Sequence, residues 1–289
     1  MLVNVEAQNS AGPVMQVPDL WSDSDRMAVT GFEVAVRHGD LAGALLALDG
    51  VTAQEAAAHR QTISDFALRV RTELLSRDPV TSLSVVLVDE AGFCGDPEDY
   101  FAPANSRLSD VLTRRRGMPI LLSAVWMLVG EQAGIVVEGI GLPGHFIVRV
   151  GGSTGVLADP FNGGRMLSVG ECRQLVGKLS GGAVQWNDAF LHPIPMDGLL
   201  ERVLRNLAHI WQRLEVPEQM LRTARFYAAL RPREAEPRLV QAKIADAFGA
   251  TDLAEMLYRA VVDGFPSSAA AETAASRLQE LRGAAVDIN

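Results

Sequence analysis

Between residues 118 and 129 the chain is apolar at nearly every position, with Leu121, Leu122, Ala124, Val125, Trp126, Met127 and Leu128 in unbroken company. A helix with no polar face has no side to offer to water, so it must be buried all round. A dozen residues is also too few to cross a bilayer, which takes roughly 20. The segment is therefore predicted to be the central helix of a globular core, covering residues 120–132. Gly117-Met118-Pro119 precedes it, and proline suits a first helical turn because the missing N–H has no partner there anyway.

Such a helix needs a cover, and the residues after it supply strands. Residues 135–139 and 145–150 are rich in β-branched side chains, and Gly151-Gly152 leads into Val156-Leu157-Ala158-Asp159. A buried helix followed by a small antiparallel sheet gives an α+β core. Upstream, residues 1–25 lack a period and are expected to be a loose segment. Residues 27–48 fit two short helices interrupted at Gly39, and residues 51–75 fit one longer helix. Residues 80–88, after the break at Pro79, suit a helix or a strand. Residues 92–107 are punctuated by Gly92, Gly95, Pro97, Pro103 and Asn105 and read as an ordered loop. Ser106 or Ser109 is placed to cap the helix that carries Val111 and Leu112. Residues 169–179 suit a small helix, and Gly181-Gly182 opens a linker.

From Met196 onward the pattern is helical. Pro232 and Pro266 stand 34 residues apart, the period of tetratricopeptide repeats. At that spacing Leu207 and Trp211 fall at core positions of one unit, and Gly249, Ala254 and Tyr258 at those of the next. Two such units cannot bury a continuous core alone, so they are expected to pack on the first domain. The organisation expected is a loose segment over 1–25, an α+β domain over 26–182 and a helical repeat region over 196–284.

A net charge of −9 gives no electrostatic reason to expect a nucleic-acid partner. The first twenty residues carry Glu6 and Asp19 and no basic stretch, unlike a secretory signal. With no spanning segment, a cytoplasmic location is expected. Cys94 and Cys172 are expected to be two reduced thiols. His38, His59, His145, His192 and His209 are scattered without metal-ligand spacing, so neither a metal nor a cofactor is expected.

The densest signal lies between residues 92 and 164. Tyr100, Pro103, Asn105-Ser106, Val111-Leu112, Arg114-Arg115, Gly117-Met118-Pro119-Ile120, Pro143-Gly144-His145-Phe146 and Asp159-Pro160-Phe161-Asn162-Gly163-Gly164 occur in fixed order. In these the chain resembles a bacterial family of SirB type, with a transglutaminase-like core and tetratricopeptide repeats, known as regulators of SirC expression. Arg205-Asn206-Leu207 fits the same family. The resemblance implies a papain-like fold whose catalytic members carry a Cys-His-Asp arrangement. It puts His145 and Asp159 at the histidine and aspartate positions. The carboxylate there would orient the ring and fix its tautomer.

The nucleophile position departs from the pattern. Catalytic transglutaminases have Gly-x-Cys where this chain has Gly117-Met118-Pro119, and proline has neither thiol nor hydroxyl. Acyl transfer by that route is excluded. The resemblance thus implies a regulatory or binding module, with a protein or peptide partner on the helical tail. The alternative is a hydrolase or amidase using His145 and Asp159 with water, Ser106 or Cys94. Asn105, Ser106, Arg114, Arg115, Pro119 and Asn162 are candidate binding residues. Asn105 and Ser106 read equally as turn and cap residues. Arg114 and Arg115 read as helix C-terminal charges or as an anion clamp at the start of the central helix.

Overall fold

The computed structural model describes residues 22–286, and they divide into a unit of residues 35–203 and a unit formed by 22–34 with 204–286. The loose segment expected over 1–25 lies outside the described residues up to position 21. Residues 23–25 already belong to helix α1 (Asp23–His38). The expected interruption follows it: Gly39 has φ 69°, and Asp40 caps α2 (Leu41–Asp49) by accepting from the Gly43 N–H. In α3 (Ala53–Glu73) the first turn is closed by a reciprocal cap between Thr52 and Glu55. The segment left open between helix and strand is helical. It forms α4 (Pro79–Ser84) and then a π-helical turn, Val85–Glu90. Asp78 accepts from the Thr81 N–H and Pro79 takes the first turn, two start signals that outweigh the β-branched composition.

Next come β1 (Cys94–Gly95), a 3₁₀ turn at Pro103–Ser106, α5 (Leu108–Arg114) and β2 (Arg116–Gly117). Neither Ser106 nor Ser109 caps α5; Arg107 occupies the cap position and its side chain makes no capping bond. The cap comes from 60 residues away. The Asp49 carboxylate accepts the Ser109 N–H at 2.7 Å, and Arg107 donates to the Asp49 carbonyl at 3.0 Å. Burial pushes the Asp49 carboxyl up to about 6, against the opposing pull of the Ser109 hydrogen bonds. A carboxyl raised above its ordinary value binds its proton more tightly in the folded chain. Asp49 therefore opposes folding above about pH 6, and the fold gains as pH drops from 6 toward 4. Asp49→Asn keeps the acceptor and removes the charge. It is expected to raise stability by about 1 to 3 kcal/mol at pH 8 and by roughly half as much at pH 5. Urea unfolding at the two pH values measures this, and an equal effect at both would refute it.

The central helix is α6 (Pro119–Ala133), and only Met127, Glu131 and Gln132 in it are not buried. Pro119 is its first residue, and Gly134 ends it in the left-handed conformation at φ 81°. Behind it, β3 (Val137–Ile140), β4 (Ile147–Val150), β5 (Val156–Asp159) and β6 (Arg165–Leu167) form an antiparallel sheet in chain order. Helix α6 approaches this sheet so closely that a Cβ on Gly130 would sit 2.4 Å from a Val137 methyl. Helix α7 (Val169–Leu179) brings Cys172 and Val176 against Ile140, Leu142, Ile147 and Leu157. This is an α+β arrangement with a buried helix and a small sheet, as the sequence led one to expect.

Helix α8 (Met196–Leu214) leads into the other unit, where α9 (Pro217–Leu230), α10 (Glu236–Ala247), α11 (Thr251–Gly264) and α12 (Ala269–Val286) follow. Leu221, Leu239, Ile244, Leu253, Ala254 and Tyr258 form its core, and Trp211 packs on them. Leu207 is buried, and Gly249 has φ 74° in the turn between α10 and α11. Tyr258 donates to Asp246 at 3.0 Å, and Arg277 grips both oxygens of the same carboxylate at 2.6 and 3.0 Å. Pro232 and Pro266 each lie two residues beyond a helix end.

Candidate functional site

Register brings the two candidate catalytic residues together. Val148 pairs with Ala158 in the β4–β5 ladder, so position 147 lies opposite Asp159. His145, two residues earlier on the same face, becomes the diagonal neighbour of that carboxylate. Its ring nitrogen Nε2 lies 2.9 Å from Asp159 Oδ2, and both side chains are buried, 7% and 3% exposed. His145 does not itself begin the strand, as expected; it ends a tight turn in which its N–H donates to the Leu142 carbonyl at 3.1 Å. Arg202 of α8 holds that turn from outside. It donates to the carbonyls of Leu142 and His145 at 3.0 Å each and lies over the Phe146 ring.

Asp159 is as firmly held. One oxygen accepts the backbone N–H groups of Phe161 and Asn162 at 3.1 and 3.3 Å; the other accepts the Asn162 side-chain amide at 2.8 Å besides His145. Burial pushes this carboxyl up, but the hydrogen bonds from His145 and Asn162 outweigh it, and the net shift is downward. An ionised Asp159 fixes the imidazole proton on Nε2. That leaves Nδ1 as the acceptor, and it has no hydrogen-bond partner among the described residues. Phe161 stands edge-on to the His145 ring at 5.9 Å and to Tyr100 at 5.9 Å. Gly95 makes room for it: a Cβ there would lie 2.6 Å from the Phe161 ring.

The candidate binding residues separate into two groups. Asn162 belongs to the pair through its bond to Asp159. Asn105 is fully buried and donates to the Asp99 carbonyl at 2.7 Å and to Asp96 at 3.3 Å, while its own carbonyl accepts the Met118 N–H. Arg114 closes this network on Asn105 at 3.0 Å and Asp96 at 3.3 Å. Together the three tie the loop to the residue before α6. Ser106 is buried with its hydroxyl 2.8 Å from the Met118 sulfur, so its proton is directed there. Arg115 takes φ 63° and lies against both the Phe66 and Phe93 rings, 4.8 Å from each, where the two rings meet edge to face. A stacked guanidinium in that position serves packing.

Neither cysteine reads as an activated thiol. Both are free. Cys172 is buried, and burial followed by the charges of Asp159 and Glu171 pushes its thiol up to about 11. In β1 it is Gly95 that faces Phe161, so the alternation of a strand directs Cys94 to the other face. Among the described residues no group of three or more His, Cys, Asp or Glu side chains is placed to hold a metal ion, and no helix is long and apolar enough to cross a membrane. Sequence reasoning missed Arg202 and Asp96. Both act through backbone carbonyls or through Asn105, contacts made across 57 and 9 residues respectively that no local pattern announces.

An oriented imidazole–carboxylate pair on neighbouring antiparallel strands, beside a buried helix, defines a core of the transglutaminase-like class. The chain belongs to the transglutaminase-like superfamily, whose family model matches residues 57–205, about half of its length. Among curated proteins it is 38% identical over 150 residues to a UPF0162 protein of Xylella fastidiosa (strain 9a5c), covering 50% of this chain and 53% of that one. A UPF0162 protein of the Temecula1 strain is 34% identical over 175 residues, covering 58% and 62%. F-box only protein 21 of Mus musculus is 29% identical over 182 residues, covering 59% of this chain and 28% of that protein. The chain thus spans little more than half the length of the UPF0162 relatives it matches most extensively. No solved structure matches it.

Proposed function

We propose that this protein is a transglutaminase-like binding module that has kept the His145–Asp159 pair and lacks the nucleophile that acyl transfer needs. The observation that carries the reading is Pro119 as the first residue of α6. A thiol at the N-terminus of a buried helix is lowered in pKa by the helix dipole and a nearby imidazole, and proline can supply none. The pair then offers Nδ1 as a hydrogen-bond acceptor for a ligand N–H or O–H, such as a peptide amide. The helical tail offers a second surface for a protein or peptide partner, in the manner of tetratricopeptide repeats. A regulatory role in the cytoplasm, like that attached to the SirC regulators, fits this reading.

A second reading is supported by the same open Nδ1. A water bonded there would be placed for general-base catalysis, making the protein a hydrolase or amidase. Ser106 is a poor candidate for its nucleophile, since its hydroxyl is engaged by Met118.

The two readings divide on one assay. The protein is incubated with a glutamine peptide and a fluorescent primary amine, and separately with amide and ester substrates in water. The binding module is expected to give background rates in both, unchanged in His145→Ala. Hydrolysis that disappears in both His145→Ala and Asp159→Asn would move the hydrolase reading ahead. Amine incorporation by the parent protein would refute the loss of acyl transfer.

A further inference from the structure

The turn that delivers His145 closes on a single hydrogen bond of its own. In Leu142-Pro143-Gly144-His145 the His145 N–H donates to the Leu142 carbonyl at 3.1 Å, and Gly144 takes φ 76°. Proline in the second place and glycine at positive φ in the third are the residues such a turn favours. Arg202 adds two bonds, and both come from one nitrogen. Its Nη2 donates to the Leu142 carbonyl and to the His145 carbonyl at 3.0 Å each. The guanidinium thus bridges the first and last residues of the turn and sets the spacing between them.

The guanidinium is itself closely seated. It lies 5.3 Å from the centre of the Phe146 ring, within cation–π range. Gly141 leaves room for it: a Cβ there would run into Arg202 Nη1. The φ of Gly141 lies outside the left-handed region, so the backbone does not call for glycine at that position; the guanidinium does. On α8, Arg202 stands beside the buried Leu199, Leu200 and Val203. The two halves of the imidazole–carboxylate pair are therefore held differently. Asp159 is fixed by the turn that follows it, through Asn162 and two backbone N–H groups. His145 depends on the turn that precedes it. Its Nε2 lies 2.9 Å from Asp159 Oδ2, and a backbone shift of about 1 Å would break that bond.

We propose that Arg202 is the positioning residue of the His145–Asp159 pair: by clamping the carbonyls of Leu142 and His145 it keeps the imidazole on Asp159 and so keeps Nδ1 an acceptor. This deepens the binding reading above and rests on it for its bearing on function. It also names how the site is regulated. α8 runs unbroken from Met196 to Leu214, so a slide or rotation of that helix moves the clamp and releases the ring.

Exchange of the His145 ring N–H with water tests this, read in long-range ¹H–¹⁵N spectra of the full chain and assigned by its loss in His145→Ala. The parent protein is expected to show a protected proton on Nε2. In Arg202→Met that proton should exchange about ten-fold faster or more, the protection given by one hydrogen bond. Arg202→Lys, which keeps a charged donor within reach of the carbonyls, should restore most of the protection. Gly141→Ala displaces the guanidinium by crowding its flexible end, at little cost to the fold, and should give the same loss with Arg202 in place. Should Arg202→Met fail to fold, Gly141→Ala decides. Arg149→Met is the control for a merely structural role. Arg149 also holds a backbone carbonyl, that of Leu191 at 2.7 Å, from the strand that follows His145; its loss should lower the unfolding midpoint and leave the ring N–H protected. Protection kept in Arg202→Met and Gly141→Ala, equal acceleration in Arg149→Met, or no protected ring N–H in the parent would each overturn the proposal. The ring is read in the free protein, so failure of the binding reading leaves this result standing.

Discussion

Asp159→Ala is expected to lower the stability of the α+β unit by about 3 to 5 kcal/mol, with a fall in midpoint on the order of 10 °C. The size follows from what the carboxylate satisfies. Its removal strands the His145 Nε2–H, the Asn162 amide and two backbone N–H groups. Each buried donor left without an acceptor costs about 1 to 3 kcal/mol, less where water can reach it. The pH dependence has a definite sign. The Asp159 carboxyl lies below its ordinary value of 3.8 in the folded chain, so its stabilisation is complete above that value and fades as pH falls through the lower folded one. The gap between parent and variant should be constant from pH 8 to 5 and narrow only in stronger acid. Denaturant titrations across that range measure it; a gap that widens in acid would contradict the assignment. Asp159→Asn makes a useful contrast. It keeps an acceptor for the turn but presents an amide to the imidazole, which favours the other tautomer. Stability should fall by about 1 kcal/mol, while the acceptor character of Nδ1 is lost.

Pro119→Cys is expected to produce a thiol that reacts at pH 6.5 at least ten-fold faster than free cysteine, its pKa lowered from about 8.5 to 7 or less. Position 119 is the first residue of α6, where unpaired N–H groups and the helix dipole stabilise an anion. The fold should tolerate the change, because proline at that position contributes no hydrogen bond that cysteine would break. The experiment is iodoacetamide alkylation against pH in a Cys94→Ser background, Cys172 being buried. Adding His145→Ala should return the pKa most of the way toward the free value. If the thiol titrates near 8.5 with or without His145, then Nδ1 does not face the start of α6, and the superfamily site has been mapped wrongly onto this chain.

How far the site could be read in advance depended on whether its parts were local. Residues 118–129 announced a buried helix through composition alone, and Pro119 marked its first turn by a rule that needs no tertiary information. His145 and Asp159 were legible as a pair because the family resemblance put them at its histidine and aspartate positions, and each adjoins a short strand-like segment whose antiparallel pairing brings such edges together. Asn162, three residues from Asp159, came with it. The cap of α5 was misassigned to Ser106 or Ser109, since a serine near a helix start is the usual cap. Here a carboxylate 60 residues away does that work.

The chain by itself determined the helical and strand segments on either side of residues 80–88, that one helix would lie at the centre of the core, and that no thiol would stand at that helix's start. Each of these follows from side-chain polarity, period and the chemistry of proline, all properties of neighbouring residues. Only the tertiary structure decided that Arg115 lies against two phenyl rings, that Asn105, Asp96 and Arg114 brace the loop before α6, that Ser106 gives its proton to a sulfur, and that Arg202 holds the turn before His145. Those outcomes depend on which polar groups are left without water and which partner lies nearest when the core closes. Hydrogen bonds across tens of residues are set by that geometry, and the order of residues along the chain does not encode it in any local pattern.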